Sequence, residues 1–583
     1  MAQNSETGLG DRTGGPHTAR DLAVLVAMVA LVGAPSLFTR DLWNPDEPRY
    51  TEVAREMVAL GDYVLPHLNG EPYPDKAPVF FWLTAALWKA GAGFNSGRIV
   101  TLCAVLATLV LVYLAVRGTV GGKGALLAAA AALSTGLLFK FARRGVLDPL
   151  LMFTVTAALI CGYYALRREA RHPRLLWLAC YAATALGVLN KGPVALAWTA
   201  LPLLVYGILA RKELKAGGWV HLAGVAVLAA IALAWVIPAC KAGGEEYTGD
   251  LLGGPFARVR ESESHGAPFH FYLLQAPLFL LPWMLVLPLA VIAAVRRWRT
   301  EREHLPLLAT AWLIVPVLFF SLISGKRIVY ILPIVPAVGI LLGWYFTADG
   351  VRQGGLLAAE KWLMGIAFCL LIALAVALVL APGFAAVLSG AKGLRDMFKI
   401  DSEALELVRD VFTPWRVAAL ALLPMLLVSL CVWGLTTSVA TGARRAALLA
   451  GAVLAFSLPV DLVLTPMANG FKSGRDFGLL ARGHAREDEP IYVFGDNFSN
   501  LYNLYTSRVH MPLLERDEGE RLRGLLSRPG TLVISRRKRI NRVLTPDEQQ
   551  RYIVHEKRVG HRIMVLLRGR ASAPEKAGKR DGA

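Results

Sequence analysis

The chain has 583 residues, 55% of them hydrophobic, and a formal net charge of +19. That apolar share exceeds the ~45–50% usual for soluble domains, which excludes an ordinary soluble fold. Apolar runs of about 17–25 residues recur, each long enough to cross a bilayer as a helix, which excludes a β-barrel.

The excess of Lys and Arg would suit a nucleic-acid partner, but it gathers in short loops between apolar runs. That is the pattern of cytoplasmic loops, so no nucleic acid is implied. The six cysteines (Cys103, Cys161, Cys180, Cys240, Cys369, Cys431) lie in or at the ends of apolar runs and read as packing residues. Their spacing gives neither a disulfide framework nor a metal site.

In chain order, residues 1–20 read as a disordered cytoplasmic N-terminus. The run 22–38 lacks a small-residue cleavage site and is followed by more spans, so it reads as a retained first helix. Further spans are predicted at 97–116, 124–141, 149–166, 174–189, 193–210, 219–240, 269–295, 305–323, 329–347, 362–382, 414–435 and 446–465, thirteen in all. The stretch 77–94 is ambiguous, since it fits either a span or an interfacial helix. Charge decides. With 77–94 interfacial and the N-terminus inside, the inside loops hold Arg117 and Lys123; Arg167, Arg168, Arg171 and Arg174; Arg211, Lys212 and Lys215; Arg296, Arg297, Arg299 and Arg302; Arg352 and Lys361; Arg444 and Arg445. Making 77–94 a span inverts this bias.

The outer face then carries the loop 39–96, the short turns at 143–148 and 190–192, the loop 241–268 and everything after 466. The C-terminal part has soluble composition. PIYVF, TLVIS and HRIMVLL (490–494, 531–535, 561–567) predict strands of a small α/β periplasmic domain over 467–570, with a disordered tail over 571–583. The transmembrane domain covers 21–466, including interfacial helices in the loop 39–96.

The segment NPDEPRYTEVAREMVAL opens an amphipathic helix. Asn44 is predicted to cap it, with Pro45 at its first position and Glu47 completing a capping box. Tyr50, Val53, Ala54, Met57 and Val58 form its apolar stripe, and Arg49, Glu52, Arg55 and Glu56 its polar side. Asp46 and Glu47 suit a helix N-terminus through the dipole alone. Asp46, however, stands four residues before Tyr50 and so faces the bundle, where a carboxylate is costly unless paired or functional. A second acid, Asp148, opens a span on the same side beside Arg143 and Arg144. Such a pair fits general-base or electrostatic work. Lys76, Lys191, Lys326, Arg327, Arg258, Arg260 and His265 are cations on a face where the charge rule disfavours them. Each alone could snorkel; together they point to an anionic ligand such as a phosphate.

DEPRYTEVAREM, YPDKAPVFFW, RRGVLDPLLMF, LNKGPVAL, SHGAPFHFY and SGKRIVYILP follow one another over some 300 residues. In this order they resemble the GT-C superfamily of polyprenyl-phosphate-sugar transferases, of the aminoarabinose-transferase and protein-mannosyltransferase type (glycosyltransferase families 39 and 83). The resemblance implies a GT-C membrane fold in a bacterial inner membrane. It also implies inverting transfer of a sugar from a polyprenyl-phosphate carrier to a periplasmic acceptor: lipid A, another glycolipid, a polymer or a protein. It makes Asp46 and Asp148 the catalytic acids. Lys76, Tyr50, Tyr73 and Tyr330 become donor-site residues, with Arg258 or Arg260 the middle-loop arginine; Lys191, Lys326 and His265 join them as cations of the same face. No metal is demanded, since lysines and arginines can stabilise a phosphate leaving group. Where the aminoarabinose transferases carry Glu-Lys-Pro, this chain has Asp75-Lys76-Ala77, which leaves sugar and acceptor open.

Two other classes compete. A flippase for a lipid-linked sugar would show broken spans, internal repeats and charges near the midplane. A structural subunit would leave the acids and outer-face cations unexplained. The ionisable residues gather at one face, which favours interfacial chemistry.

Overall fold

The computed structural model describes residues 16–211, 218–260, 267–390, 441–486, 489–495, 499–559 and 562–570. The predicted span 414–435 and His265 lie outside the described residues. The architecture is that of a multi-pass α-helical membrane protein. Eight stretches of the described residues are long and apolar enough to cross a membrane. The chain forms two compact units, one of residues 1–39, 74–83 and 95–464, the other of 40–73, 84–94 and 465–583.

The first unit is helical: α1 (Pro16–Thr39), α4 (Ser96–Leu133), α5 (Gly136–Phe141), α6 (Asp148–Leu166), α7 (Pro173–Lys191), α8 (Val194–Leu209), α9 (Val220–Arg260), α10 (Phe271–Phe279), α11 (Leu287–Glu301), α12 (His304–Ser321), α13 (Val335–Thr347), α14 (Gly354–Gly390) and the helix Gly442–Ala455. Its most extensive packing sets α4 along α13. Gly339 and Gly343 make this possible: a methyl group at either would stand 2.5 Å from the carbonyl oxygen or the Cβ of Ala128. Small residues at four-residue spacing let two backbones approach where water provides no driving force.

Two predicted spans are interrupted. The run 124–141 ends at Leu133, and after a two-residue turn Thr135 caps the separate helix α5 by accepting the Leu138 amide at 3.3 Å. The run 269–295 divides into α10, a 3₁₀ turn over Trp283–Leu285 and α11, because Pro277 and Pro282 cannot continue a helical ladder. Within α9 the kink falls at Gly244, φ +77°, beyond the end of the predicted span 219–240. The ambiguous 77–94 contains α3 (Val79–Leu87), nine residues or ~14 Å of helix, shorter than a hydrocarbon core. It ends in an irregular turn at Gly91, φ +91°.

The second unit joins α2 (Asp46–Leu60) and the hairpin β1 (His67–Leu68) and β2 (Glu71–Pro72) to the C-terminal α/β fold. The sheet order is β4-β3-β5-β7-β6, comprising β3 (Ile491–Phe494), β4 (Leu513–Leu514), β5 (Leu532–Arg536), β6 (Ile553–Val559) and β7 (Arg562–Arg568). β3 runs parallel to β4 and β5, while β5, β7 and β6 are antiparallel, with Val533 opposite Leu567. Side chains alternate between the two faces. Ile491, Val493, Leu532, Ile534, Met564 and Leu566 build one core, and Phe494, Val533, Val565 and Leu567 the other.

Helix α2 packs against the helix Ser499–Thr506, and this corrects the amphipathic reading. Glu52 and Glu56 are fully buried and Arg55 nearly so. Arg55 grips both Glu52 oxygens at 2.7 Å and donates to the Arg508 carbonyl at 2.8 Å. Glu56 accepts the backbone amides of Asn69 (2.7 Å) and Gly70 (2.9 Å) at the hairpin tip. The supposed solvent face is therefore an internal polar junction. The capping box is also absent. The helix starts at Asp46, Pro45 holds the cap position, and no side chain caps it. Glu47 is engaged elsewhere, with buried Arg40 at 2.5 Å and the Trp43 amide at 3.2 Å.

Candidate functional site

In the second unit the candidate residues gather on the first turns of α2. Asp46 and Arg49, three residues apart, form an ion pair at 2.7 Å. The Arg49 guanidinium lies 5.1 Å from the Tyr50 ring and reaches its hydroxyl at 3.5 Å. Burial alone would lower the Arg49 pKa; Tyr73, Tyr50 and Asp46 outweigh it and drive it upward. Arg49 thus joins three residues singled out from the sequence, Asp46, Tyr50 and Tyr73, and was itself missed. Its signal was the three-residue spacing from Asp46. Tyr50 and Tyr73 are buried, 5% and 7% exposed, so both side chains face the protein rather than solvent.

In the first unit a second cluster forms where α6 begins and α7 ends. Gly192, at φ +85°, stops α7, and Pro193 leads into α8, which fixes the LNKGP turn. Asn190, fully buried, donates to the Leu147 carbonyl at 3.0 Å and ties this turn to the start of α6. Lys191 is thereby carried to Asp148 and forms an ion pair with it. The same ammonium lies 4.7 Å above the Tyr330 ring, which a 3₁₀ turn over Ile328–Ile334 presents. Three candidates from distant parts of the sequence therefore meet: Asp148, Lys191 and Tyr330. The Asp148 carboxylate is placed to hold that ammonium in position.

Arg143 does not join them. It pairs with Asp461 at 2.8 Å and lies over the Phe139 ring at 4.2 Å. Asp461, fully buried in a π-helical turn over Val460–Leu464, was not singled out from the sequence, where one acid in an apolar run shows no periodic signal. Lys326 is 6% exposed and donates to the Ala267 carbonyl at 2.8 Å, which holds the SGKR segment against the start of the HFY segment. Lys76 is half-buried and donates to the Asp75 carbonyl at 2.9 Å. Arg258 and Arg260 lie in the last turns of α9. Among the described residues no group of three His, Cys, Asp or Glu gathers at metal-ligand distance.

The family model of dolichyl-phosphate-mannose-protein mannosyltransferases matches residues 75–235. The undecaprenyl phosphate-alpha-4-amino-4-deoxy-L-arabinose arabinosyl transferase 1 of Sodalis glossinidius is 33% identical over 364 residues, 61% of this chain and 64% of that protein. The corresponding transferase of Pectobacterium atrosepticum is 31% identical over 361 residues, again 61% and 64%. The chain therefore spans 64% of the length of these relatives. The crystal structure of ArnT from Cupriavidus metallidurans bound to undecaprenyl phosphate superposes with a TM-score of 0.73. It covers 96% of this chain and 99% of that one at 20% identity, a likeness of fold.

Proposed function

We propose that this chain, a member of the GT-C superfamily of membrane glycosyltransferases, moves a sugar from a polyprenyl phosphate to an acceptor on the outer face of a bacterial inner membrane. The named relatives favour 4-amino-4-deoxy-L-arabinose on undecaprenyl phosphate as donor, and a lipid A-type glycolipid fits as acceptor. An acceptor oxygen attacks the anomeric carbon, the bond from that carbon to the phosphate oxygen breaks, and polyprenyl phosphate leaves with the electron pair. The configuration inverts.

Asp46 takes the acceptor proton when the acceptor is a hydroxyl. When it is an ionised phosphate, Asp46 instead stabilises positive charge on the sugar. Arg49 holds the Asp46 carboxylate and the two tyrosines in one geometry. Lys191, steadied by Asp148, is a positive charge for the leaving phosphate, with Tyr330, Lys76, Lys326 and Arg258 or Arg260 completing the donor site.

The observation that carries the reading is the meeting of Asp148, Lys191 and Tyr330 from three separate segments. A flippase needs no such fixed ion pair beside a ring. The test is mass spectrometry of the lipid fraction from cells carrying wild-type chain or Asp46→Asn at equal membrane abundance. The variant is expected to accumulate one polyprenyl-phosphate sugar while one glycoconjugate loses that sugar. Unchanged pools in cells where the wild-type chain is active would refute a catalytic Asp46.

A further inference from the structure

We infer that a basic ridge on the C-terminal sheet, residues 536–542, docks on the anionic headgroups of the bilayer that holds the protein. This does not rest on the transferase reading above. Arg536, Arg537, Lys538 and Arg539 follow one another, and Arg542 comes three residues later with no acid between them. The backbone fixes how they are presented. β5 ends at Arg536, and the chain then turns helically: the Asn541 amide donates to the Arg537 carbonyl at 2.9 Å and the Leu544 amide to the Ile540 carbonyl at 2.9 Å. Ile540 and Leu544, 0% and 3% exposed, anchor one side of this turn in the core. Lys538, Asn541 and Arg542 occupy the other side, and all three are exposed.

The charges differ in what they meet. Arg537 pairs with Glu556 at 2.7 Å. Arg536, together with Arg562, acts on the buried Tyr502 hydroxyl. The Arg539 stem lies against Gly495, where an added methyl group would stand 3.4 Å from its Cγ. These three form the base of the ridge. Lys538 and Arg542 form no ion pair among the described residues. Standing four residues apart on a helical turn, they repel each other, and an anionic surface relieves that repulsion.

The place of the ridge selects the bilayer as that surface. Arg536 stands opposite Met564 of β7, and Met564 opposite Lys557 of β6, so the ridge rises from the sheet edge that also carries Lys557 and Arg558. At that edge Lys557 and Arg558 line a cavity of about 290 Å³ with Asp41, Pro466 and Asn469. Asp41 follows the membrane-length helix Thr18–Thr39 by two residues, and Pro466 and Asn469 belong to the membrane-length stretch Gly442–Gly470. The chain therefore enters this unit from its apolar helices at the edge that bears the ridge. Each Lys or Arg near an anionic leaflet adds to the attraction, and salt screens it.

The experiment follows hydrogen exchange of peptides covering residues 537–545 in the full-length protein. It compares nanodiscs of phosphatidylcholine with nanodiscs that also contain phosphatidylglycerol. Exchange is expected to slow about fivefold or more in the anionic discs, and high salt should erase the difference. Lys538→Ser combined with Arg542→Ser should lose most of the difference, while peptides 67–72 exchange as in wild type. Equal exchange in the two discs, a difference that survives high salt, or a double variant that responds like wild type overturns the inference. So does slowing by inorganic phosphate in phosphatidylcholine discs, which marks a site for free anions. Slowing by added lipid A with none by phosphatidylglycerol marks a site for one glycolipid and overturns it too. The wild-type lipid and salt comparisons decide the matter even where the variant unfolds.

Discussion

Replacing Glu56 by Gln isolates the junction between α2 and the hairpin tip. Burial, and then the neighbouring Glu52 carboxylate, push the Glu56 carboxyl from its ordinary 4.5 up to about 8, against the opposing pull of two backbone amides. Between those values the folded protein holds a proton that the unfolded chain has released. The stability is therefore fully present below about pH 4.5 and is lost as pH rises toward 8. A tenfold change in proton affinity corresponds to ~1.4 kcal/mol, so the rise from 4.5 to about 8 sets a ceiling of ~5 kcal/mol. Glu52 is raised too, chiefly by burial, and the two carboxyls titrate as a pair, so local opening is expected to ease by roughly 2–3 kcal/mol from pH 5 to 8. Hydrogen exchange of peptides covering residues 67–72 measures it, after correction for intrinsic rates. Wild-type protection should fall across this range by about thirty- to a hundredfold. Asn69 and Gly70 donate to different Glu56 oxygens, so in Glu56→Gln the single amide oxygen keeps one of the two bonds, and no charge develops. The protection should be nearly flat across this range, whatever its absolute level. Parallel slopes in the two proteins, or none in wild type, would refute the shared-proton junction.

Lys191→Met leaves Asp148 in place without its ammonium. Folded stability, read by thermal unfolding in detergent, should drop by roughly 3 kcal/mol, and transfer should fall at least a hundredfold at matched folded protein. The double variant Asp148→Asn with Lys191→Met should recover the melting temperature but not the transfer. Arg143→Gln should likewise cost about 3 kcal/mol by stranding buried Asp461, whereas Arg143→Met with Asp461→Leu should melt within about 1 kcal/mol of wild type.

The helical membrane class was legible because length and apolarity alone decide whether a run can span. Breaks were less legible. The apolar run 124–141 conceals a turn at Ser134–Thr135, where hydroxyls bond back to helix carbonyls that a hydropathy window does not see. Strands β3, β5 and β7 stood out as dense apolar segments in polar surroundings. β6, IVHEKRV, lies at the sheet edge with charges on its outer side, and β4 has only two residues, so neither gave a clear pattern. In the site, side-of-membrane bookkeeping put Asp148 and Lys191 on one face but did not pair them. Arg49 and Asp461 escaped it altogether, because each is defined by a partner rather than by a motif. The buried Glu52 and Glu56 were misread for the same reason: helical periodicity cannot reveal that a polar stripe meets another polar surface.

The close seam of α4 on α13 also bears on how the protein is made. The two helices are separated by about 200 residues, which a ribosome needs roughly 10–40 s to synthesise. During that interval the Gly124–Ala128 surface has no mate, and lipid or an insertion chaperone must occupy it. Tyr330 arrives in the same late segment, just ahead of α13. Closing the seam and seating Tyr330 over Lys191 therefore belong to one maturation step. A chain stopped before Val335 would remain inserted yet lack its spine.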